Sequence, residues 1–285
     1  MTVPPGGRER TSPVSPVDRR IYGVDFSGAK QAGRQIWVTA GGTEGQALRI
    51  DDCRRGDTLP GSSRQRGQCL VALRALIAGE SHSAFGFDFP FGLPAPLVDE
   101  ESWESFVLAF PDLYEGADGF REACREAGAG SELKRVTDRD SQTPFSPYNL
   151  RLYRQTYYGI GEVLHPLVRD QVGWVLPMQK PLPDRPWVLE VCPASTLKAQ
   201  DLYAAYKGEE RQKRETREGI LQSLVEKGLL VAPDRAMRAM LVGDAGGDAL
   251  DSVIAALATA GALRRPDGLV PSGDDNYAVE GYVYV

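Results

Sequence analysis

IYGVDFSG (21–28) and AFGFDFPFGLP (84–94) are the stretches that decide the fold. Each is a short apolar run that carries a carboxylate and then breaks, the first at Phe26-Ser27-Gly28 and the second at Pro90, so each reads as a strand with an acid at or near its end. Between them, QIWVTA (35–40) is β-branched and aromatic and is followed by Gly41-Gly42. That predicts a second strand and a turn, with Ala47 to Ile50 as the returning third. Gly67 to Ala78 spaces Leu70, Val71, Leu73, Leu76 and Ile77 as a helix does. The order is strand, strand, strand, helix, strand, which is an α/β pattern.

Working outward, residues from Pro94 to about Pro186 mix aromatic and charged side chains, which predicts a mainly helical insertion with long loops. PWVLEV (186–191) returns to a strand. Cys192-Pro193-Ala194-Ser195 follows, with Ser195 a candidate cap for a helix from about Thr196. Glu209 to Glu226 is a charged helix with an apolar stripe of Ile220, Leu221 and Leu224. Gly247 to Leu263 is the clearest helix, and Tyr277 to Val285 alternates as a final strand. Met1 to Arg20, rich in Pro, Gly, Ser and Arg, reads as a disordered arm. Residues 21–285 are then expected to form one domain, within the range of one to two that ~150 residues per domain allows for 285 residues.

Composition narrows the function. A net charge of −6 argues against a protein that coats nucleic acid nonspecifically. No apolar run approaches the ~20 residues of a membrane span, and the N-terminus has no apolar core of a secretory signal. Cys53, Cys69, Cys124 and Cys192 form no C-x-x-C pair, and with only His82 and His165 they give no zinc pattern. Scattered thiols fit a reducing, cytoplasmic setting. With so little histidine, catalysis is expected to rest on carboxylates or metal ions.

Five acids stand out. Asp25 ends the first strand, Asp88 lies between Phe87 and Phe89, and Glu190 lies between Leu189 and Val191. Asp248 and Asp251 share one face of the clearest helix. Each has a plain alternative: Asp25 as a turn former, Asp248 as a helix cap, Asp251 as a solvated helix residue. Together they predict a cluster, and clustered carboxylates need cations because an unpaired buried charge costs several kcal/mol. Two divalent ions ~3.5–4 Å apart are the usual solution in phosphodiester hydrolysis. All-oxygen ligands suit Mg²⁺ or Mn²⁺.

This layout resembles the ribonuclease H-like superfamily, in which a three-stranded meander precedes alternating helices and strands. More narrowly, GVDFSG (23–28), GFDFPFGLP (86–94), EVCPAS (190–195) and GDALDSVIAALATA (247–260) resemble the family catalogued as domain of unknown function 429, a family of predicted nucleases. The resemblance implies a mixed five-stranded sheet flanked by helices, with the insertion at about 94–186 choosing the substrate. It implies Asp25 as the bridging metal ligand, Asp88 as the fourth-strand ligand, Asp248 and Asp251 as the last-helix pair, and Glu190 as a further catalytic acid. RVTD (135–138) places Arg135 and Asp138 among substrate-binding candidates, as the spacing Lys207, Arg214, Arg217 does for those residues. Within the insertion, Lys134, Arg135, Arg139, Arg151 and Arg154 are candidates for phosphates of DNA or RNA, and Tyr148, Tyr153, Tyr157 and Tyr158 for stacking on unpaired bases. The plain alternative is that these tyrosines pack the insertion. Two other functions stay open: an ATP-binding phosphotransferase of the actin and sugar-kinase type, with GVDFSG and VGDAGGDA (242–249) as phosphate loops, and a non-catalytic nucleic-acid-binding module on the same core.

Overall fold

The computed structural model describes residues 18–265 and 269–285. Most of the expected N-terminal arm therefore lies outside the described residues, but its last positions belong to the fold. Arg19 is buried, with its guanidinium 3.6 Å above the Trp187 ring and donating to the Ser83 and Arg185 carbonyls at 3.1 and 2.8 Å. Arg20 opens the first strand.

The architecture is α/β around a mixed seven-stranded sheet. β1 (Arg20–Asp25), β2 (Trp37–Glu44) and β3 (Ala47–Arg55) form an antiparallel meander. Helix α1 (Arg66–Gly79) crosses to β4 (Ser83–Phe87), which pairs parallel with the free edge of β1. β6 (Trp187–Val191) pairs parallel with β4. The sheet exceeds the five strands implied by the resemblance: an unexpected β5 (Trp174–Leu176) and β7 (Val283–Tyr284), within the stretch expected as the final strand, line up along β6, β5 pairing with residues 187–189 and β7 with 190–191. β5 comes from the otherwise helical stretch 94–186. The tail is not one strand, because α11 (Tyr277–Glu280) precedes β7.

Opposite faces of the sheet carry two apolar cores. On one face, Tyr22, Val24, Phe26, Phe85, Phe87 and Val188 pack with α1 and with α2 (Trp103–Leu113), α3 (Gly116–Ala127), α5 (Tyr153–Gly159) and α6 (His165–Arg169), the short α4 (Val136–Asp140) lying between α3 and α5 in the chain. The other face, with Ile21, Ala84, Leu189 and Val191, packs against α7 (Pro193–Ala199), α8 (Arg211–Glu226), α9 (Arg235–Gly243) and α10 (Asp248–Arg264).

Helix α10 is buried nearly all round, as expected of a helix that is apolar on every side. It lies in a trough made by two glycines that pair across the sheet, Gly23 of β1 and Gly86 of β4. A Cβ at Gly23 would stand 2.1 Å from the Ser252 carbonyl oxygen, and one at Gly86 would stand 2.0 Å from Thr259 Oγ1. Side chains alternate along a strand, so the residues two positions on, Asp25 and Asp88, face the same side as the glycines. The Gly-x-Asp spacing thus admits the helix and aims a carboxylate at its N-terminal turn. Among the described residues no helix is long and apolar enough to cross a membrane, and all four cysteines are free thiols.

Candidate functional site

The acids predicted to converge do so at the carboxyl ends of β1 and β4, where α10 begins. Ligand oxygens of Asp25, Asp248 and Asp251 all lie within 4.8 Å of one another. Asp88 lies outside that group of three but beside it. It is one step beyond the paired Val24 and Phe87, and its N–H donates to the Val24 carbonyl at 3.0 Å. All four line a cleft of about 550 Å³. Asp25 is 7% exposed and Asp251 3%, so neither is a turn former or a solvated helix residue. Asp248 is the first residue of α10, and the capping position belongs to Gly247, whose φ of +77° suits glycine.

Burial pushes the Asp25 carboxyl well above its ordinary pKa; the charge of Asp251 adds to this, and Lys207 opposes it. Asp88 is pushed up to about 7, chiefly by burial and then by Asp251. Asp248 is also raised by burial, with Lys207 opposing. The carboxylates of Asp25 and Asp88 accept no hydrogen bond from any described residue. The donor set is all oxygen, and a buried carboxylate without a partner faces it, so these side chains fit a hard divalent cation.

Lys207 and Tyr206 complete the cluster. Lys207 Nζ lies 2.6 Å from Asp251 Oδ2 and 3.3 Å from Asp248 Oδ1, and the Tyr206 hydroxyl donates to Asp251 Oδ1. Lys207, expected to meet substrate, instead neutralises the acids. Arg217 is corrected likewise. It is buried in α8 and donates to the carbonyls of Tyr206 (2.6 Å), Gly208 (3.0 Å) and Val242 (2.9 Å), so it holds the loop that carries Lys207. Arg214 lines a separate hollow between α8 and α9.

Glu190 lies at the cleft but apart from the acid group. It pairs with Phe87, on the sheet face opposite the one that carries Asp25 and Asp88. Arg135 donates to both of its oxygens, through Nη1 at 2.8 Å and through Nη2, and Phe91 N–H adds a third bond at 2.8 Å. The same guanidinium donates through Nε and Nη2 to Asp138 (3.0 and 2.8 Å) and through Nη1 to the Glu280 carbonyl (3.0 Å). With all five N–H groups committed and 1% exposure, Arg135 is not placed to hold a phosphate, nor is its partner Asp138. Glu280, which the sequence reading did not single out, receives Ala95 and Val136 N–H at 2.7 and 2.6 Å and ties the C-terminal segment into this network.

Of the insertion's cations, Arg151 lines the cleft, with its guanidinium 5.6 Å from the Phe145 ring centre. Arg154 turns away to Asp118, at 3.4 Å. Lys134 and Arg139 donate to the carbonyls of Thr143 and Lys134 and so hold their own loop. The tyrosines follow the packing alternative. Tyr148 is fully buried and bonded to Leu133 and Ser131, Tyr153 donates to Asp118, Tyr157 packs on Phe110 and Phe120, and Arg66 covers the Tyr158 ring. Ser195 does not cap α7, which starts at Pro193 after Cys192. In the loop after β1 a Cβ at Gly28 would stand 2.4 Å from the Arg154 carbonyl oxygen, so the loop packs there against the insertion. Gly247 packs on Tyr206 and Lys207, and Gly246 on the Asp248 side chain. Comparison with family models, with curated proteins and with solved structures finds no match to this chain.

Proposed function

We propose that the protein is a metal-dependent phosphodiester hydrolase, a nuclease on a ribonuclease H-like core. The observation that carries this reading is the meeting of three carboxylates from β1 and α10, with oxygens within 4.8 Å, around a buried Asp25 that accepts no hydrogen bond among the described residues. The strand order β3-β2-β1-β4-β6, antiparallel on one side of β1 and parallel on the other, supports the fold assignment. Fold alone does not specify chemistry, so the site must carry the argument.

In this reading Asp25, Asp248 and Asp251 hold Mg²⁺ or Mn²⁺, which when bound supplies Lewis-acid stabilisation of the charge that builds on a phosphoryl group. Asp88, beside the group and with a carboxylate that accepts no hydrogen bond among the described residues, takes the proton released by the attacking water on that carboxylate. Arg151 receives a phosphate of the substrate in the cleft, a backbone contact that positions without reading sequence. Tyr206 keeps Asp251 oriented.

The test is hydrolysis of bis(4-nitrophenyl) phosphate and of single-stranded DNA and RNA with Mg²⁺, Mn²⁺ or EDTA, by wild type and Asp25→Asn. Divalent-dependent cleavage that is lost in D25N is expected. A melting temperature that responds to ATP and not to Mn²⁺ alone would instead favour the phosphotransferase.

A further inference from the structure

Lys207 occupies ground that the metal reading needs. Its Nζ is 2.6 Å from Asp251 Oδ2 and 3.3 Å from Asp248 Oδ1, and these two acids complete the three-carboxylate group with Asp25. The lysine is placed there by construction. Arg217 grips the carbonyls on either side of it, Gly208 N–H donates to the Ala245 carbonyl at 2.8 Å, and the Gly247 turn packs against its stem. Its side chain nevertheless keeps 52% of its surface exposed. The anchored part is the backbone and the base of the stem, while the outer part of the side chain, which lines the cleft, can swing into it. A hard cation sits ~2.0–2.6 Å from each carboxylate oxygen it uses. An ion on Asp251 and Asp248 would come within a few ångströms of the ammonium, and like charges at that range repel strongly.

We propose that Lys207 is a resident counter-cation that competes with the divalent ion: it neutralises the acids in the metal-free protein and is expelled into the cleft when metal binds. The proposal rests on the metal reading above and deepens it. Expulsion frees an ammonium in the same cleft as Arg151, so loading the site also raises the positive charge presented to an anionic substrate. Arg217 is then a positioning residue, acting on the site only through the loop it holds.

The experiment measures Mn²⁺ affinity by isothermal titration, and by electron paramagnetic resonance of the free ion, for wild type, Lys207→Met and Asp25→Asn, with circular dichroism to check folding. Competition predicts that K207M binds Mn²⁺ at least ~10-fold more tightly than wild type, a 1.4 kcal/mol gain. It also predicts that metal-free K207M melts lower and that Mn²⁺ restores more of its melting temperature than it adds to wild type. Affinity that is unchanged or weaker in K207M overturns the proposal while leaving the metal site standing. If neither protein binds Mn²⁺ in a manner that D25N abolishes, the metal reading itself fails. Should K207M not fold, ¹⁵N-lysine side-chain spectra of the wild type decide the matter. On saturation with diamagnetic Mg²⁺ the Lys207 ammonium should pass from a protected to a freely exchanging signal, and a signal that stays protected overturns the proposal.

Discussion

The trough beneath α10 gives the sharpest forecast. We predict that Gly23→Ala destabilises the protein and loosens the acid cluster together. The new Cβ would stand 2.1 Å from Ser252 O and 2.2 Å from Ala256 N, whereas ordinary contact begins near 3.4 Å, so α10 must retreat by about 1.3 Å. Both obstacles are backbone atoms of a helix buried on all sides, so no rotamer change relieves them. Overpacking a core costs ~1–3 kcal/mol, and we expect the upper end here. For a chain this size that lowers the melting temperature by roughly 5 °C. Because Asp248 and Asp251 ride on the same helix, Mn²⁺ affinity should fall with it. Gly86→Ala provides the control. Its Cβ meets a side chain, Thr259 Oγ1, at 2.0 Å, and the next atom, Ala255 O, is at 3.0 Å. G86A should be destabilised alone and largely recover when combined with Thr259→Ala, whereas G23A has no such partner. Scanning calorimetry of the three variants is the assay. A G23A protein that melts with the wild type would refute the close approach of α10 to β1, and with it the account of why the acids meet.

Other outcomes follow from the same geometry. The Asp88 carboxyl has a folded-state pKa of about 7. A raised acid pKa adds stability that is full below the unfolded value of ~3.9 and is lost as pH rises through the folded value. In EDTA the melting temperature should therefore fall between about pH 4 and pH 7, and Asp88→Asn should flatten that slope; an unchanged profile would count against the desolvation of the Asp88 carboxyl. Arg135→Met leaves Asp138 and Glu190 buried without their cation and should cost ~3–5 kcal/mol, the usual penalty for breaking a buried pair. Glu190→Gln should cost less and leave Mn²⁺ affinity unchanged, and loss of metal binding in E190Q would return Glu190 to the ligand set. Arg151→Ala should weaken binding of an anionic substrate and flatten its salt dependence by about one phosphate's worth. Arg154→Ala should do neither, since its guanidinium faces Asp118, and fluorescence anisotropy across a salt series separates the two.

Much of this was legible in the chain before it was folded. Asp25 and Asp88 announced themselves because a carboxylate in an apolar strand has no packing reason to be there, and Asp248 and Asp251 because their spacing puts them on one helix face. Glu190 looked equivalent to Asp88, each flanked by large apolar residues. What separates them is strand register: Glu190 pairs with Phe87, one position short of Asp88, and a one-residue offset sends a side chain to the other face. No local pattern carries that information. The same holds for the arginines. Arg135, Arg151, Arg154 and Arg217 are alike in sequence, yet one is saturated by carboxylates, one lines the cleft, one faces outward and one clamps a loop. Lys207 was picked out as a cation near substrate, but its insertion among the acids depends on a contact between residues 206–208 and the start of α10, some forty positions away. Strand β5 was missed because three residues give no periodicity to detect, and the final strand expected over 277–285 shrinks to Val283–Tyr284 because Tyr277–Glu280 is helical.

The long reach of α10 has a consequence for how the chain comes into being. Its trough is built from β1 and β4, which end at Asp25 and Phe87, whereas the helix that fills it begins at Asp248. Synthesis at ~5–20 residues per second separates the two by on the order of ten seconds or more. During that interval the trough over Gly23 and Gly86 has no helix to fill it, and Asp25 and Asp88 have neither Asp248 nor Asp251 beside them. A nascent chain held short of residue 248 is therefore a sticky intermediate whose half-built acid pair is open to water, and limited proteolysis of stalled chains should find β1 and β4 protected only once α10 has emerged.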